Sequence, residues 1–274
     1  MKLHELYSEI ANELNYLGDE AKFEAKIIVC SLLSISADKY YMNKECALSE
    51  EIIDSAHDIV KKRLTGYPLQ YILGKWCFYG RDFIVSPECL IPRQDSEILC
   101  EEAIKIIKQN NYASLLDVCT GSGCIGITLA KETNINTTIS DISQSALEIA
   151  KKNAKLHTAN IKIIQSDLFN EIHGTYDLIT INPPYLDDTD MLHLQKELEF
   201  EPRNALYGGT DGMDFYKRIA DEFISYISDS GTLILEIGAK QGNAISSLFN
   251  KCRIIKDYGN NDRVAIIHKA DYHV

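Results

Sequence analysis

The chain has 274 residues, of which 45% are hydrophobic and 25% charged, a composition typical of a soluble globular protein with one large or two modest domains. Its 28 basic and 40 acidic residues give a formal net charge of −12, which disfavours a nucleic-acid duplex as the main substrate and fits a basic protein partner better. No apolar run reaches transmembrane length, and the first residues lack the apolar core of a signal peptide, so we expect a cytoplasmic protein without membrane insertion.

Cysteine and histidine usage argues against both disulfides and a metal site. The chain has eight cysteines, none of them in a Cys-x-x-Cys pair, and seven histidines without a His-Glu-x-x-His motif. In a chain of this length without a secretion signal, such cysteines are typically reduced core residues. We therefore predict neither a disulfide nor a metal ligand.

A small helical domain is predicted over residues 1–74. Apolar residues recur at helical spacing in three successive segments. These segments span residues 3–14, 21–33 and 52–64. The stretch from Trp76 to Val85 then has two β-rich arms around a turn at residues 80–82, which predicts a β-hairpin within a linker of residues 75–86.

Strands and helices alternate through the remaining predicted domain, residues 87–274. The strand candidates lie near 115–119, 137–140, 161–165, 178–181, 232–237, 253–256 and 263–268. Helical patterns fill most of the gaps, which predicts an α/β fold with a doubly wound, mostly parallel sheet. The last two strands are joined only by residues 258–262, and so short a connection requires an antiparallel hairpin at the sheet edge.

A glycine-rich turn follows the first of these strands. Gly121, Gly123 and Gly126 satisfy the G-x-G-x-x-G pattern. Asp141 lies about 20 residues further on, at the end of the second strand, where a carboxylate can hold a ribose diol. The open turn and the helix start beyond it would let a cofactor approach backbone N–H groups closely. By itself, this arrangement fits a nicotinamide dinucleotide enzyme.

Three further features favour S-adenosylmethionine over a dinucleotide as the cofactor. Asp117 comes just before the glycine turn, residues 166–169 follow the third strand, and residues 182–185 follow the fourth. Each feature falls at the carboxyl end of a predicted strand, which is where ligands bind in open α/β sheets. Agreement at four successive strand ends indicates one shared binding site.

The Asn-Pro-Pro-Tyr segment of residues 182–185 has the chemistry of a seat for a planar NH2 group. Pro183 and Pro184 have no N–H for a sheet ladder and fix their own φ angles, so the loop is stiff. The Asn182 amide and the Pro183 carbonyl are then fixed hydrogen-bond acceptors beside the Tyr185 ring. Two acceptors that hold the N–H bonds of an amide can re-localise the nitrogen lone pair and stabilise the positive charge that develops as it attacks. No strong base is required.

These motifs, together with several others, resemble the HemK/PrmC family, whose members methylate the glutamine of the Gly-Gly-Gln motif in class 1 peptide-chain release factors. The resemblance covers nearly the whole chain. Besides the glycine turn and Asn-Pro-Pro-Tyr, it is carried by residues 63, 66–74, 90–93, 201–212, 235–238, 241, 257 and 262–264. It implies a class I methyltransferase fold, with a mixed seven-stranded sheet, behind a helical amino-terminal domain that helps to dock the protein substrate.

The resemblance also assigns site residues. S-adenosyl-L-methionine would be bound by Asp117, Cys119, Thr120, Gly121, Ser122, Gly123, Asp141, Ile142, Asp167, Leu168 and Asn182. The substrate glutamine would be bound by Asn182, Pro183, Pro184 and Tyr185, of which Asn182, Pro183 and Tyr185 would act in catalysis. The expected partner is a class 1 release factor, without direct nucleic-acid contact, and the expected state is a monomer.

The chain departs from the pattern of these methyltransferases at three places. Cys119 stands where the general class I pattern has glycine, which would alter how closely the methionine moiety approaches. Leu168 stands where some relatives have a larger aromatic residue, which would alter the packing of adenine. Residues 92–97 read Pro-Arg-Gln-Asp-Ser-Glu in place of the commoner Pro-Arg-Pro-Glu-Thr-Glu.

Other functions stay open at the level of sequence. Paralogues that methylate a glutamine of a large-ribosomal-subunit protein share Asn-Pro-Pro-Tyr, and DNA or RNA adenine amino-methyltransferases use related tetrapeptides. Residues 90–93 and 205–209 resemble the release-factor group more closely, and the acidic charge disfavours nucleic acid. A non-catalytic protein that binds release factors could keep the fold, but it would leave the intact segment 182–185 unexplained.

Overall fold

The structure is a computed structural model that describes residues 1–272 and divides into two compact units, Met1–Gly74 and a second unit that begins at Lys75. The last two residues of the predicted domain 87–274 lie outside the described residues. Within the described part of the chain, no helix is long and apolar enough to cross a membrane.

The first unit is a bundle of helices around one apolar core. Its helices are α1 (Leu3–Glu13), α2 (Glu20–Leu32), α3 (Ala37–Asn43), α4 (Glu50–Leu64) and α5 (Leu69–Leu73). The predicted periodic positions Leu3, Leu6 and Ile10 are fully buried in this core. Arg63 on α4 donates from Nε and Nη2 to the Glu24 carboxylate on α2 at 2.7 and 2.9 Å, a buried bidentate pair that fixes the two helices together.

A two-stranded hairpin opens the second unit. Strands β1 (Lys75–Phe78) and β2 (Arg81–Ile84) pair antiparallel. The turn lies at Tyr79 and Gly80, earlier than the predicted turn at residues 80–82. Both turn residues have positive φ, 50° and 70°, as in the two-residue type I′ turns whose twist matches that of the strands.

The rest of the second unit is a seven-stranded sheet covered by helices. Its strands are β3 (Ser114–Val118), β4 (Asn136–Asp141), β5 (Ile161–Gln165), β6 (Tyr176–Ile181), β7 (Ile227–Glu236), β8 (Arg253–Lys256) and β9 (Asp262–His268). Its helices are α6 (Ser96–Asn110), α7 (Cys124–Thr133), α8 (Gln144–Leu156), α9 (Asp188–Leu192), α10 (Asp214–Glu222) and α11 (Gly242–Phe249).

The strand order is β5-β4-β3-β6-β7-β9-β8, with parallel pairing from β5 to β7 and antiparallel pairing on both sides of β9. The predicted fold class is confirmed. As predicted, β8 and β9 form an antiparallel hairpin at the sheet edge, and within it β9, one place in from the edge, is the strand that runs opposite to the others.

Both faces of the sheet are buried, as the apolar runs predict. Leu116 and Ile179 pack against α10 and α11 on one face, and Leu115 and Leu178 pack against α6 and α7 on the other. Neighbouring residues of one strand therefore serve opposite cores. The parallel strands β3, β4, β5 and β6 all end at one edge, so the loops that follow them come together there.

Candidate active site

Asp117 supports the glycine turn from inside the protein. Its carboxylate, 1% exposed, accepts hydrogen bonds from Thr120 Oγ1, Thr180 Oγ1 and the Gly126 N–H at 2.5, 2.7 and 3.1 Å. Gly126 lies in the first turn of α7, where N–H groups lack intrahelical partners, so Asp117 caps this helix across the turn. Burial raises the pKa of Asp117 to about 6. Its side chain holds the turn in shape rather than lining the cavity in front of it.

Asp141 lies at the carboxyl end of β4 and faces that cavity. Its two oxygens accept the N–H groups of Gly121 and Ser143 at 2.8 and 2.9 Å. Burial raises the pKa of Asp141, while the two N–H bonds favour its charged form. Each oxygen keeps a further lone pair for a ligand hydroxyl, which is the arrangement that suits a ribose diol.

The cavity in front of the glycine turn has a volume of about 250 Å³. It brings together most of the residues predicted to hold the cofactor: Cys119, Thr120, Gly121, Ser122, Asp141, Ile142, Asp167, Leu168 and Asn182. Asp117 and Gly123 do not line it. Apolar side chains of Leu90, Ile125 and Phe215 complete the wall and suit a purine ring. A carboxylate for a ribose, an apolar wall for adenine and a helix start for an acidic group fit S-adenosylmethionine.

The loop after β5 closes one side of this cavity. Leu168 is 2% exposed and has a φ of 48°, and its carbonyl accepts a hydrogen bond from Ser166 Oγ at 2.9 Å. Asp167 Oδ1 pairs with Arg218 Nη2 at 3.0 Å at the half-exposed rim. Arg218 also lines the cavity. The sequence had no signal for it, because it lies on α10, far along the chain from every cofactor motif.

Cys119 occupies a backbone conformation that favours glycine. Its φ is 56°, in the left-handed region, which explains why the general class I pattern has glycine at this position. Burial raises the pKa of the Cys119 thiol well above its usual value, so the thiol stays protonated and is a poor nucleophile. This residue contributes wall area to the cavity, not reactivity.

The Asn-Pro-Pro-Tyr segment follows β6 and lies between two cavities. The second cavity, of about 940 Å³, is lined by Tyr185 and reaches Arg263. Asn182 lines both cavities, whereas Pro184 lines only the first and Tyr185 only the second. Pro183 is buried and lines neither. Burial raises the pKa of the Tyr185 hydroxyl to about 12, so the phenol is neutral at physiological pH.

The segment 201–212, which the resemblance singled out without a role, packs directly on this loop. The Leu186 N–H donates to the Leu206 carbonyl, and the Gly208 N–H donates to the Leu186 carbonyl, both at 2.9 Å. These two bonds form a parallel bridge immediately after Tyr185. The bridge ties the segment to the loop and fixes the position of the loop.

An ion pair between the buried Glu201 and the partly exposed Arg93 holds the opposite wall. Glu201 accepts the Ile91 N–H on Oε2 at 3.0 Å and pairs through Oε1 with the Arg93 guanidinium. Burial raises the pKa of Glu201, an effect that the Arg93 charge opposes. Leu90, Arg93 and Ala205 line both cavities, so this ion pair joins the two segments that surround the opening between them.

The geometry accommodates two ligands that meet at one amide side chain. A nucleotide-like molecule held by Asp141 in the first cavity and a side chain held beside Tyr185 in the second would approach each other at Asn182. Such an arrangement suits transfer of a small group between the two ligands.

Known protein families match both units of the chain. The family model described as methyltransferase small domain matches residues 96–209, and the one described as PrmC N-terminal domain matches residues 5–74. The release factor glutamine methyltransferase of Geobacter sulfurreducens is 35% identical over 90% of this chain and 89% of its own length. The protein of that name from Streptococcus pneumoniae is 36% identical over 97% of this chain and 98% of its own length. A methyltransferase crystal structure from Pyrococcus furiosus shares the fold, with a TM-score of 0.54, 18% identity, and coverage of 79% of this chain and 98% of that one.

Proposed function

Because the chain belongs to the family of release factor glutamine methyltransferases, we propose that it methylates the glutamine side chain of the Gly-Gly-Gln motif in class 1 peptide-chain release factors. The methyl donor is S-adenosyl-L-methionine, bound in the cavity of the glycine turn. The observation that carries the proposal is the meeting of the two cavities at Asn182.

The cofactor end of the proposal rests on the residues around Asp141. The Asp141 carboxylate holds the ribose hydroxyls, and Ile142 and Leu168 contact the adenine ring. Backbone groups of residues 119–123 lie along the methionine moiety, with Asp167 at the rim and Asp117 behind the turn. S-adenosylmethionine supplies a methyl group on a positively charged sulfur, an electrophile that needs no metal or redox partner.

The substrate end rests on Asn182, Pro183 and Tyr185. The side-chain oxygen of Asn182, a residue that lines both cavities, accepts one N–H bond of the glutamine amide. In this proposal the Pro183 carbonyl accepts the second N–H bond, although Pro183 lines neither cavity, while Pro184 shapes the loop and the Tyr185 ring packs against the amide plane. With its lone pair re-localised, the nitrogen forms a bond to the methyl carbon as the carbon–sulfur bond breaks, and the electron pair of that bond goes to sulfur. The excess proton then leaves the nitrogen for solvent.

Fixed dipoles, not a titrating base, carry this chemistry. The neutral Tyr185 phenol and the protonated Cys119 thiol are unsuited to take a proton at neutral pH. Stabilisation of the developing charge by preorganised acceptors is typically the largest single contribution in such sites. We expect Tyr185→Phe to have a mild effect, since the ring face and not the hydroxyl acts.

The helical unit of residues 1–74 supplies docking contacts for the release factor in this proposal. Binding energy from regions remote from the reacting group can be used to orient that group. Whole release factor should therefore be methylated far more efficiently than a free Gly-Gly-Gln peptide. Equal kcat/KM for protein and peptide would remove the docking role from this unit.

The cofactor proposal is tested by calorimetry with the purified chain. S-adenosylmethionine or its demethylated product should bind, and NAD should not. Tight binding of NAD without binding of either sulfur compound would overturn the assignment of the first cavity.

A further inference from the structure

Gln241 forms a hydrogen bond to the backbone of the Asn-Pro-Pro-Tyr loop. It lies between β7 and α11 and lines the second cavity. Its side-chain nitrogen donates to the carbonyls of Tyr185 and Gly212, both at 3.1 Å, and its side-chain oxygen accepts the Gly238 N–H at 2.8 Å. The amide can adopt only this orientation, because a flipped amide would place its oxygen against two carbonyl oxygens.

Two glycines make this close contact possible. A Cβ on Gly212, whose φ is 68°, would lie 2.5 Å from the Tyr185 carbonyl oxygen and 2.8 Å from Gln241 Nε2. A Cβ on Gly238 would lie 2.9 Å from Gln241 Oε1 and 3.4 Å from Cδ2 of the Tyr185 ring. Three separate chain segments therefore meet around the Gln241 amide and Tyr185, too closely to leave room for a side chain at either glycine.

The rest of the loop is held by other means. Pro183 and Pro184 fix their own backbone angles before Tyr185, and the bridge between Leu186 and Tyr207 holds the chain after it. The Tyr185 carbonyl is held between these two constraints by Gln241. The direction of the Tyr185 ring depends on the backbone at that residue, so Gln241 controls where the ring stands in the second cavity.

We propose that Gln241 is a positioning residue that sets the place of Tyr185 for methyl transfer. This inference rests on the proposed function for the reaction whose rate is measured. Gln241 acts through Tyr185, so its loss should lower kcat and leave the cofactor cavity unchanged. A displacement of about 1 Å at a reacting group can cost on the order of 100-fold in rate. We expect Gln241→Ala to lower single-turnover methylation of release factor by about 10- to 100-fold, with cofactor affinity unchanged within about twofold.

Gln241→Glu provides a readout that general loosening of the fold would not produce. A carboxylate at this position would face two carbonyl oxygens, so its pKa should rise, and only the protonated acid could donate to one of them. The rate of Gln241→Glu relative to the wild-type protein should therefore increase as the pH is lowered. The charged groups that act on the neighbouring Tyr185 are present in both proteins, so this ratio isolates the introduced carboxyl group. These groups are Glu236, Arg263, Arg93 and Asp95.

The matched control is Asn243→Ala, an exposed position two residues further on, which should methylate at the wild-type rate. Hydrogen exchange supplies a second readout that needs no substrate: the Leu186 and Gly208 amides should exchange faster in Gln241→Ala than in the control. If the wild-type protein does not methylate release factor, the proposed function fails, and the exchange data still decide the role of Gln241. Wild-type methylation rates in Gln241→Ala, or unchanged exchange at both amides, would overturn the inference.

Discussion

Replacing Asp117 with alanine should destabilise the glycine turn and weaken cofactor binding together. The substitution removes the acceptor of three hydrogen bonds in a site that is 1% exposed. The Thr120 and Thr180 hydroxyls can rotate toward other acceptors, but the Gly126 N–H cannot move. One orphaned buried donor costs about 1–3 kcal/mol, and the two weakened hydroxyl bonds add roughly 1 kcal/mol. We therefore expect Asp117→Ala to lower the free energy of unfolding by about 2–4 kcal/mol.

Urea denaturation without cofactor measures this loss, and calorimetry should show cofactor affinity lowered about tenfold, which corresponds to about 1.4 kcal/mol, because Thr120 and Gly121 line the cavity. Thr128→Val is the matched control on α7. The Thr128 hydroxyl is fully buried and has no hydrogen-bond partner among the described residues, so its replacement by a methyl group should be neutral or stabilising. A loss below about 1 kcal/mol in Asp117→Ala, the lower limit for one orphaned donor, would refute the capping role.

Substitutions at three other positions test separate features of the protein. Asn182→Ala should lower kcat by about 100-fold or more with little change in cofactor affinity, and near-full single-turnover methylation would contradict the mechanism. Cys119→Gly should be more stable than Cys119→Ala by about 1 kcal/mol in urea denaturation, since only alanine strains the left-handed backbone; equal stabilities would show that no strain exists. Burial raises the pKa of Glu236 from its usual value near 4.5 to about 7. Because the folded state holds this proton more tightly, the wild-type free energy of unfolding should fall as the pH rises from about 4.5 to about 7. Glu236→Gln should flatten this fall, and parallel pH profiles for the two proteins would contradict the assignment.

The sheet could be predicted from sequence because its residues alternate between two buried faces. Leu115 and Leu116 read as one apolar run, which is the pattern of a strand that serves two cores. The start of β7 could not be predicted, since the polar stretch 228–231 interrupts that pattern. A register shift between Tyr176 and Leu178 of β6 lets the pairing resume at Ile227, before this stretch. Pairing with a neighbour, not local periodicity, extends the strand.

The site could be predicted to the level of strand ends, but not to the direction of each side chain. Asp117 and Asp141 both stand at strand ends, yet one points into the protein and the other into the cavity. Residue spacing does not distinguish these cases, because the direction depends on which turn atoms are left without partners. The resemblance singled out Gln241 without a role and did not include Arg218. Both lie far along the chain from the motifs that they contact, so only the folded arrangement shows what they touch.

Locating the transferred methyl group distinguishes glutamine methylation of a release factor from the alternative functions. Purified class 1 release factor is incubated with this protein and isotopically labelled S-adenosylmethionine, then digested and sequenced by tandem mass spectrometry, with Asn182→Ala as the control enzyme. The proposed function predicts one labelled methyl group, on the side-chain nitrogen of the Gly-Gly-Gln glutamine, and a strongly reduced signal with the control. Label on another residue, equal label with Asn182→Ala, or no label on release factor would contradict it.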